Sequence, residues 1–341
     1  MTTFGEYKKL DEPEKKKKSE NWETAIGLQA VDGLKPSEYL IETAKENIDG
    51  KISIYEVEAR LSKYYKDKSL EGASDRTEEA DKVSIRITEI LNEKAFSFSP
   101  EEIIMIHKKL FEGVLKSHNS KARAGIIRDY NISKNEWILS GKSVYYASAN
   151  NIVATLNYDF EQEKKFNYNG LSKKDIIEHI TQFVSNIWQI HPFGEGNTRT
   201  IAVFAIKYLR TLGFEINNDL FKKYSWYFRN ALVRANYNNY KHNIYSSNEY
   251  LNHFFTNLLI NGEYELKNRD LKIYIGNSAN NIPNNVLDLI KQDNKVTTNI
   301  LSKKLNKGSA TIKRELRRLK EKGYISRIGS DKTGSWKILK N

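Results

Sequence analysis

Apolar side chains recur at helical spacing through most of this chain, which predicts a mainly α-helical protein. Trp22, Ile26 and Val31 line one face of a first helix that reaches Gly33. Pro36 and Ser37 open a second, on which Leu40, Ile41, Ala44 and Ile48 share a face and which Gly50 ends. Ile52 to Tyr65 reads as a third. Further on, Ser99 supplies a hydroxyl cap, Pro100 the first turn, and Glu101 and Glu102 the acids that suit a helix start. Ile103, Ile106, Leu110, Phe111 and Val114 form that helix's buried stripe. Helices are also predicted over 148–158, 171–190, 218–235 and 247–261, with Ile176, Ile180, Phe183, Val184, Ile187 and Trp188 keeping the 3.6-residue period. The stretch 200–212 is apolar on most sides, as a central buried helix would be.

Two stretches break the helical period. Residues 136–147 read as a β-hairpin, with Trp137-Ile-Leu139 and Val144-Tyr-Tyr146 on either side of Ser140, Gly141 and Lys142. Residues 283–341 parse as a winged helix-turn-helix, with three short helices and then two strands around Gly329–Gly334. Residues 1–20 are polar and predicted to be frayed, and 66–80 read as a linker. The expected domains are therefore 1–66, 80–265 and 283–341.

Charge sharpens this division. The chain has 341 residues and a formal net charge of +12. From Asn285 onward, 15 Lys and Arg face 5 Asp and Glu, so +10 of that charge lies in the C-terminal module. Its third helix turns Ile312, Leu316 and Leu319 to one side, while Lys313, Arg314, Arg317 and Arg318 lie largely elsewhere, a pattern suited to DNA phosphates and the major groove. Winged helices also dock proteins, so either partner fits the sequence. The absence of cysteine excludes disulfides, thiolate catalysis and zinc-thiolate sites. The opening residues carry no signal-type apolar run, and no window approaches the roughly 18 apolar residues of a bilayer span, so a cytoplasmic protein without a membrane partner is expected.

The chemistry concentrates in His191-Pro-Phe-Gly-Glu-Gly-Asn-Thr-Arg199. Pro192 disfavours helix at His191. Gly194 and Gly196 allow tight turns and a close approach to a ligand. The next helix then offers free N–H groups and the positive end of its dipole, which suits an anion. Arg199 can add a bidentate phosphate contact. Glu195, an acid among donors, suits Mg²⁺ beside a polyphosphate. A neutral His191 at the rim can take a proton from an incoming hydroxyl. Singly, each part has a plainer reading: a surface histidine, a turn, a Glu195–Arg199 helix pair. Their convergence within nine residues favours a site.

The spacing His191-x-Phe193-x-Glu195-Gly196-Asn197-x-Arg199 resembles the signature of the Fic (Fic/Doc, or Fido) family, and the resemblance extends over roughly 80–265. It implies a helical core with a hairpin flap near Gly141, and most often the transfer of AMP from ATP to a Ser, Thr or Tyr hydroxyl of a target protein or of the chain itself. It further implies His191 as general base, Glu195 as Mg²⁺ ligand, Gly196, Asn197 and Thr198 as the anion hole with Gly194 beside them, Arg199 on the outer phosphates, and Ser140, Gly141 and Lys142 in a flap that pairs with the target. A homodimer is compatible with it. Two positions depart from the family pattern. Thr198 stands where Gly is common, and Ala202 where a second Arg usually grips the phosphates. Arg229 and Arg234 are candidates to compensate, with surface ion pairs as the alternative. The departures keep two other readings open: a phosphotransferase or other nucleotidyltransferase, and a DNA-binding regulator whose core senses nucleotide.

The family also carries an inhibitory helix, in toxin–antitoxin fashion, whose Glu pairs with that second Arg. Residues 22–66 resemble such a segment fused in the same chain. Their nearest match, Leu28-Gln-Ala-Val-Asp32-Gly33-Leu34, makes Asp32 the candidate inhibitory residue.

Overall fold

Phe4 and Trp22 are fully buried, and their place in one core orders the N-terminal stretch. The computed structural model describes residues 4–9, 11–68, 75–115, 121–216, 219–273, 282–305, 308–330 and 334–339. Helix α1 spans Pro13–Leu28, and a 3-10 turn at Tyr7–Lys9 precedes it. This corrects the expected frayed end. The lysine run is carried on α1, while Phe4 and Tyr7 join Trp22, Leu40, Ile48 and Leu61 in the core. Trp22 donates its indole N–H to Asn47 Oδ1 at 3.0 Å, which satisfies the ring's polar edge inside that core.

Helix α2 (Glu38–Ile48) starts as predicted, with Ser37 Oγ accepting the Leu40 N–H. Helix α3 spans Ile54–Lys68 and α4 spans Asp75–Asn92. The predicted linker 66–80 is therefore largely replaced by helix at its two ends, and its residues 69–74 lie outside the described residues. Apolar residues at Ala80, Val83, Ile87, Ile90 and Leu91 bury α4 and explain why it forms.

Helix α5 (Pro100–Phe111) has the Ser99 cap and the Pro100 start expected from the sequence. Then come α6 (Ile152–Lys165), α7 (Lys173–Ile190), α8 (Asn197–Thr211), α9 (Asp219–Ala235), α10 (Glu249–Ile260) and the short α11 (Asn268–Leu271). Helix α8 is the buried centre, packed by α4, α5 and α7. Helix α1 lies against α4 and α9.

Gly27 permits the approach of α1 to α9. A Cβ there would sit 2.2 Å from Lys222 Cα, and Ser225 Oγ donates to the Gly27 carbonyl at 2.7 Å. Gly→Ala in an open helix gains about 1 kcal/mol. At Gly27 the sign is expected to reverse. Gly27→Ala should lower stability by about 1–3 kcal/mol or more through overpacking, read as a fall in Tm. A raised Tm would mean that α1 and α9 do not meet this closely.

The predicted hairpin at 136–147 is not a strand pair. Trp137–Leu139 forms a 3-10 turn, Ser140 and Gly141 take positive φ (54° and 83°), and one bridge joins Glu136 to Lys142. Ser143 Oγ accepts the Lys134 N–H at 3.0 Å, the group a longer ladder would have used. The turn thus leaves room for a single bridge.

Two units make up the chain. The first is Met1–Glu136 with Gly141–Leu271, and the second is Trp137–Ser140 with Lys272–Asn341. In the second, the Ile273 N–H donates to the Ile138 carbonyl at 2.6 Å, and Ser140 Oγ donates to the Ile273 carbonyl at 2.8 Å. Helices α12 (Ile282–Gln292), α13 (Thr298–Leu305) and α14 (Ser309–Glu321) pack with β1 (Ile325–Ile328) and β2 (Ser335–Ile338). The strands are antiparallel, with Ile325 opposite Ile338. Val286, Ile290, Leu301, Ile312, Leu316 and Ile325 form the core of this unit. Lys313, Arg314, Arg317 and Arg318 are exposed on the opposite face of α14, Arg318 within 3.5 Å of Glu315. The protein is mainly helical, and no helix among the described residues is long and apolar enough to cross a membrane.

Candidate functional site

Helix α7 ends where Pro192 requires, and His191 turns the chain with φ 52° in the left-handed region. Its N–H still reaches the Trp188 carbonyl at 3.1 Å. The loop that follows is closed by Asn197, which accepts the Phe193 N–H at 2.9 Å and donates to the Phe193 carbonyl at 2.8 Å. The side chain expected in an anion hole therefore shapes the loop. Gly196 has φ 73°, and a Cβ on it would strike the Phe111 ring at 2.4 Å. It is the N-cap of α8, where no side chain accepts from the first N–H groups, so this helix start keeps its positive character. Thr198 Oγ1 accepts the Trp188 indole N–H at 3.0 Å, and Gly194 is buried beside Tyr130.

His191 is 2% exposed. Its Nδ1 lies 3.1 Å from the Trp188 carbonyl, which can only accept, so Nδ1 carries the proton and Nε2 presents a lone pair. That Nε2 is buried and has no hydrogen-bond partner. Burial, then the charges of Lys134, Arg229 and Arg128, hold the ring well below the usual histidine range and keep it neutral. The Tyr146 ring covers it at 4.1 Å.

Arg199 is 1% exposed and has three side-chain partners. Nη1 donates to Gln29 Oε1 at 3.0 Å, Nη2 to Glu79 Oε1 at 2.6 Å, and Nε lies 2.7 Å from Asp32 Oδ2. The guanidinium also sits over the Phe111 ring at 4.7 Å. Burial pushes the Asp32 carboxyl up, but Arg199 with Lys134, Arg229 and Arg76 more than offsets this and holds it below the usual range. The motif spacing predicts Arg199 on phosphates. In this structure it is bound instead by Gln29 and Asp32, from the 3-10 turn that follows α1, and by Glu79 on α4. Ala202, at the position of the second arginine, is buried in α8.

Glu195 points outward at 39% side-chain exposure, 3.8 Å from Lys134 Nζ. Among the described residues no group of three or more His, Cys, Asp or Glu is placed to hold a metal. One carboxylate still fits Mg²⁺, which commonly takes one or two carboxylates and draws its other ligands from phosphates and water. The two compensating arginines separate. Arg229 forms a bidentate pair with buried Glu136, at 2.7 and 3.1 Å, and adds its field at His191. Arg234 lies by the Tyr245 carbonyl and the Tyr250 ring. Ser140, Gly141 and Lys142 are exposed at the turn.

His107 is a loop-supporting residue that the motif spacing misses. Its ring stacks on Phe193 at 3.7 Å, Nδ1 accepts the Gly125 N–H at 2.9 Å, and Nε2 therefore donates to the Glu195 carbonyl at 3.0 Å. Its place on the stripe with Ile103, Leu110 and Phe111 is the signal that could have found it. Burial lowers its pKa to about 3. The unfolded ring binds a proton below its ordinary 6.5 and the folded ring does not. Its contribution to stability is therefore complete above that value and lost as pH falls towards about 3. The expected slope is about 1.4 kcal/mol per pH unit, and His107→Gln should flatten it in denaturant titrations across that window. An unchanged slope would show that His107 is solvated in the folded state.

Residues 97–209 match the Fic/DOC family model. A crystal structure of a Fic family protein from Desulfovibrio desulfuricans G20 is similar at 13% identity over 94% of this chain and 87% of that one, with a TM-score of 0.44. No curated protein matches the chain.

Proposed function

With the Fic/DOC match at residues 97–209 as premise, we propose that the chain is a protein adenylyltransferase, moving AMP from ATP to a Ser, Thr or Tyr hydroxyl of a target protein or of itself. The observation that carries this reading is the buried, unpartnered Nε2 of His191 beside the uncapped start of α8. A neutral base there takes the hydroxyl proton as the oxygen bonds to the α-phosphorus. The bond from that phosphorus to the bridging oxygen breaks, and pyrophosphate leaves with the electron pair. The N–H groups at the start of α8 stabilise the charge that develops on the phosphoryl oxygens. Mg²⁺, held through Glu195, would neutralise phosphate charge when bound.

Arg199 fits this chemistry as a phosphate ligand only after Asp32 and Glu79 release it. We therefore assign Asp32 to a restraint within the chain, analogous to the family's inhibitory helix but directed at the first arginine. The direct test is labelling with ATP that carries phosphorus label at either the α or the γ position. Protein-bound label from the α position alone supports nucleotidylation. Label from the γ position alone would replace it with phosphotransfer, the reading that Thr198 and Ala202 favour. No label from either, at any ATP concentration and with Arg199 freed by substitution at both Asp32 and Glu79, would leave a nucleotide-sensing regulator.

For the C-terminal unit we propose a winged helix that binds DNA through Lys313, Arg314, Arg317 and Arg318. Their shared exposed face on α14 supports it. Affinity for duplex DNA should fall steeply with salt. Each substitution there that removes a phosphate-bound charge should reduce the salt slope by about 1.

A further inference from the structure

Arg128 is 4% exposed, and no carboxylate is paired with it among the described residues. A buried cation without a counter-ion must be held by dipoles, and this one is. Nε donates to the His191 carbonyl at 2.8 Å and Nη2 to the Ile190 carbonyl at 3.2 Å. These are terminal carbonyls of α7, which the helix itself leaves unpaired and which carry its partial negative charge. Nη1 donates to the Tyr130 carbonyl at 2.7 Å and Nη2 also to the Ala147 carbonyl at 2.5 Å. The Arg128 N–H completes the set on the Pro192 carbonyl at 2.9 Å.

The acceptors fall into two groups. Ile190, His191 and Pro192 are the turn that aims the base. Tyr130 and Ala147 are the two ends of the segment carrying the flap residues, and Ala147 adjoins Tyr146, whose ring covers His191. One planar, rigid group therefore ties base and flap together. A lysine has no such fork.

We infer that Arg128 is a positioning residue that fixes the flap to the turn bearing His191, and so sets where a flap-docked hydroxyl meets Nε2. It touches no reacting atom. The inference rests on the reading of His191 as base, and displacements of about 1 Å at such a centre cost on the order of 10²-fold in rate.

The test uses the full chain with nitrogen-15 histidine and two variants, Arg128→Lys and Arg128→Gln. The His191 ring signals are assigned by their loss in His191→Gln. Wild type should show the Nδ1–H tautomer with Nε2 unprotonated. In whichever variant retains a cooperative thermal transition, the ring should become a mixture of tautomers and hydrogen exchange over residues 128–147 should quicken at least tenfold. α-Label transfer should fall roughly 10²-fold in kcat, with the KM for ATP within twofold. Unchanged ring signals and flap exchange in a folded variant overturn the inference, as does a loss that appears wholly in KM. If wild type transfers no label, the functional reading fails, while ring signals and exchange still decide the role of Arg128.

Discussion

His191→Ala is expected to reduce transfer of α-labelled nucleotide by roughly 10²–10⁴-fold, the range a positioned general base supplies. The magnitude rests on the lone pair at Nε2, buried and unpartnered, in a ring whose other nitrogen is committed to the Trp188 carbonyl. The same substitution removes none of the N–H groups at the start of α8, so ATP affinity by calorimetry should change little. Depression of the His191 pKa adds a pH signature. The His191 ring stays neutral well below pH 6.5, so wild-type transfer should show no loss centred near 6.5 as the solution is acidified. A variant that still transfers within threefold of wild type would exclude His191 as the base.

Arg199→Ala and Asp32→Ala should separate stability from activity. Removing Arg199 leaves the Asp32 and Glu79 carboxylates facing each other with their shared cation gone. Breaking such a buried pair costs about 3–5 kcal/mol, which a denaturant midpoint will register. Asp32→Ala leaves Arg199 paired with Glu79 and should cost less. It should also raise α-label transfer about tenfold, equivalent to about 1.4 kcal/mol of released restraint. A fall in both stability and transfer would mean that Asp32 supports the active arrangement. Deleting residues 1–66 cannot make this distinction, because it removes α1 from its packing on α4 and α9.

The helices, the buried α8 and the loop between α7 and α8 were legible because each rests on local signals: the Ser99 and Ser37 caps, the 3.6-residue stripe on α7, and the spacing from His191 to Arg199. The misreadings came from long-range effects. Lysines at 15–18 suggested fraying, yet the burial of Phe4 and Trp22 outweighs them. Glu79 fell in a stretch whose polarity suggested a linker, and its role appears only when α4 meets Arg199, 120 residues away. Arg128 gave no sequence signal because all its side-chain acceptors are main-chain carbonyls, which are the same in every sequence. Asn197 was legible as part of the loop, but its amide is used within the loop itself.

The Arg199 cluster also bears on how such a chain can change over generations. Asp32 and Glu79 answer to one cation at the start of α8, so loss of that cation alone strands two acids around it. Loss of one acid is the milder first step, and on the proposed restraint it would loosen control before it threatens the fold. Mutational drift at these positions is therefore ordered: variants with altered control should arise and persist sooner than variants without the arginine. A lineage that sheds the segment carrying Gln29 and Asp32 leaves Arg199 with Glu79 as its remaining acid.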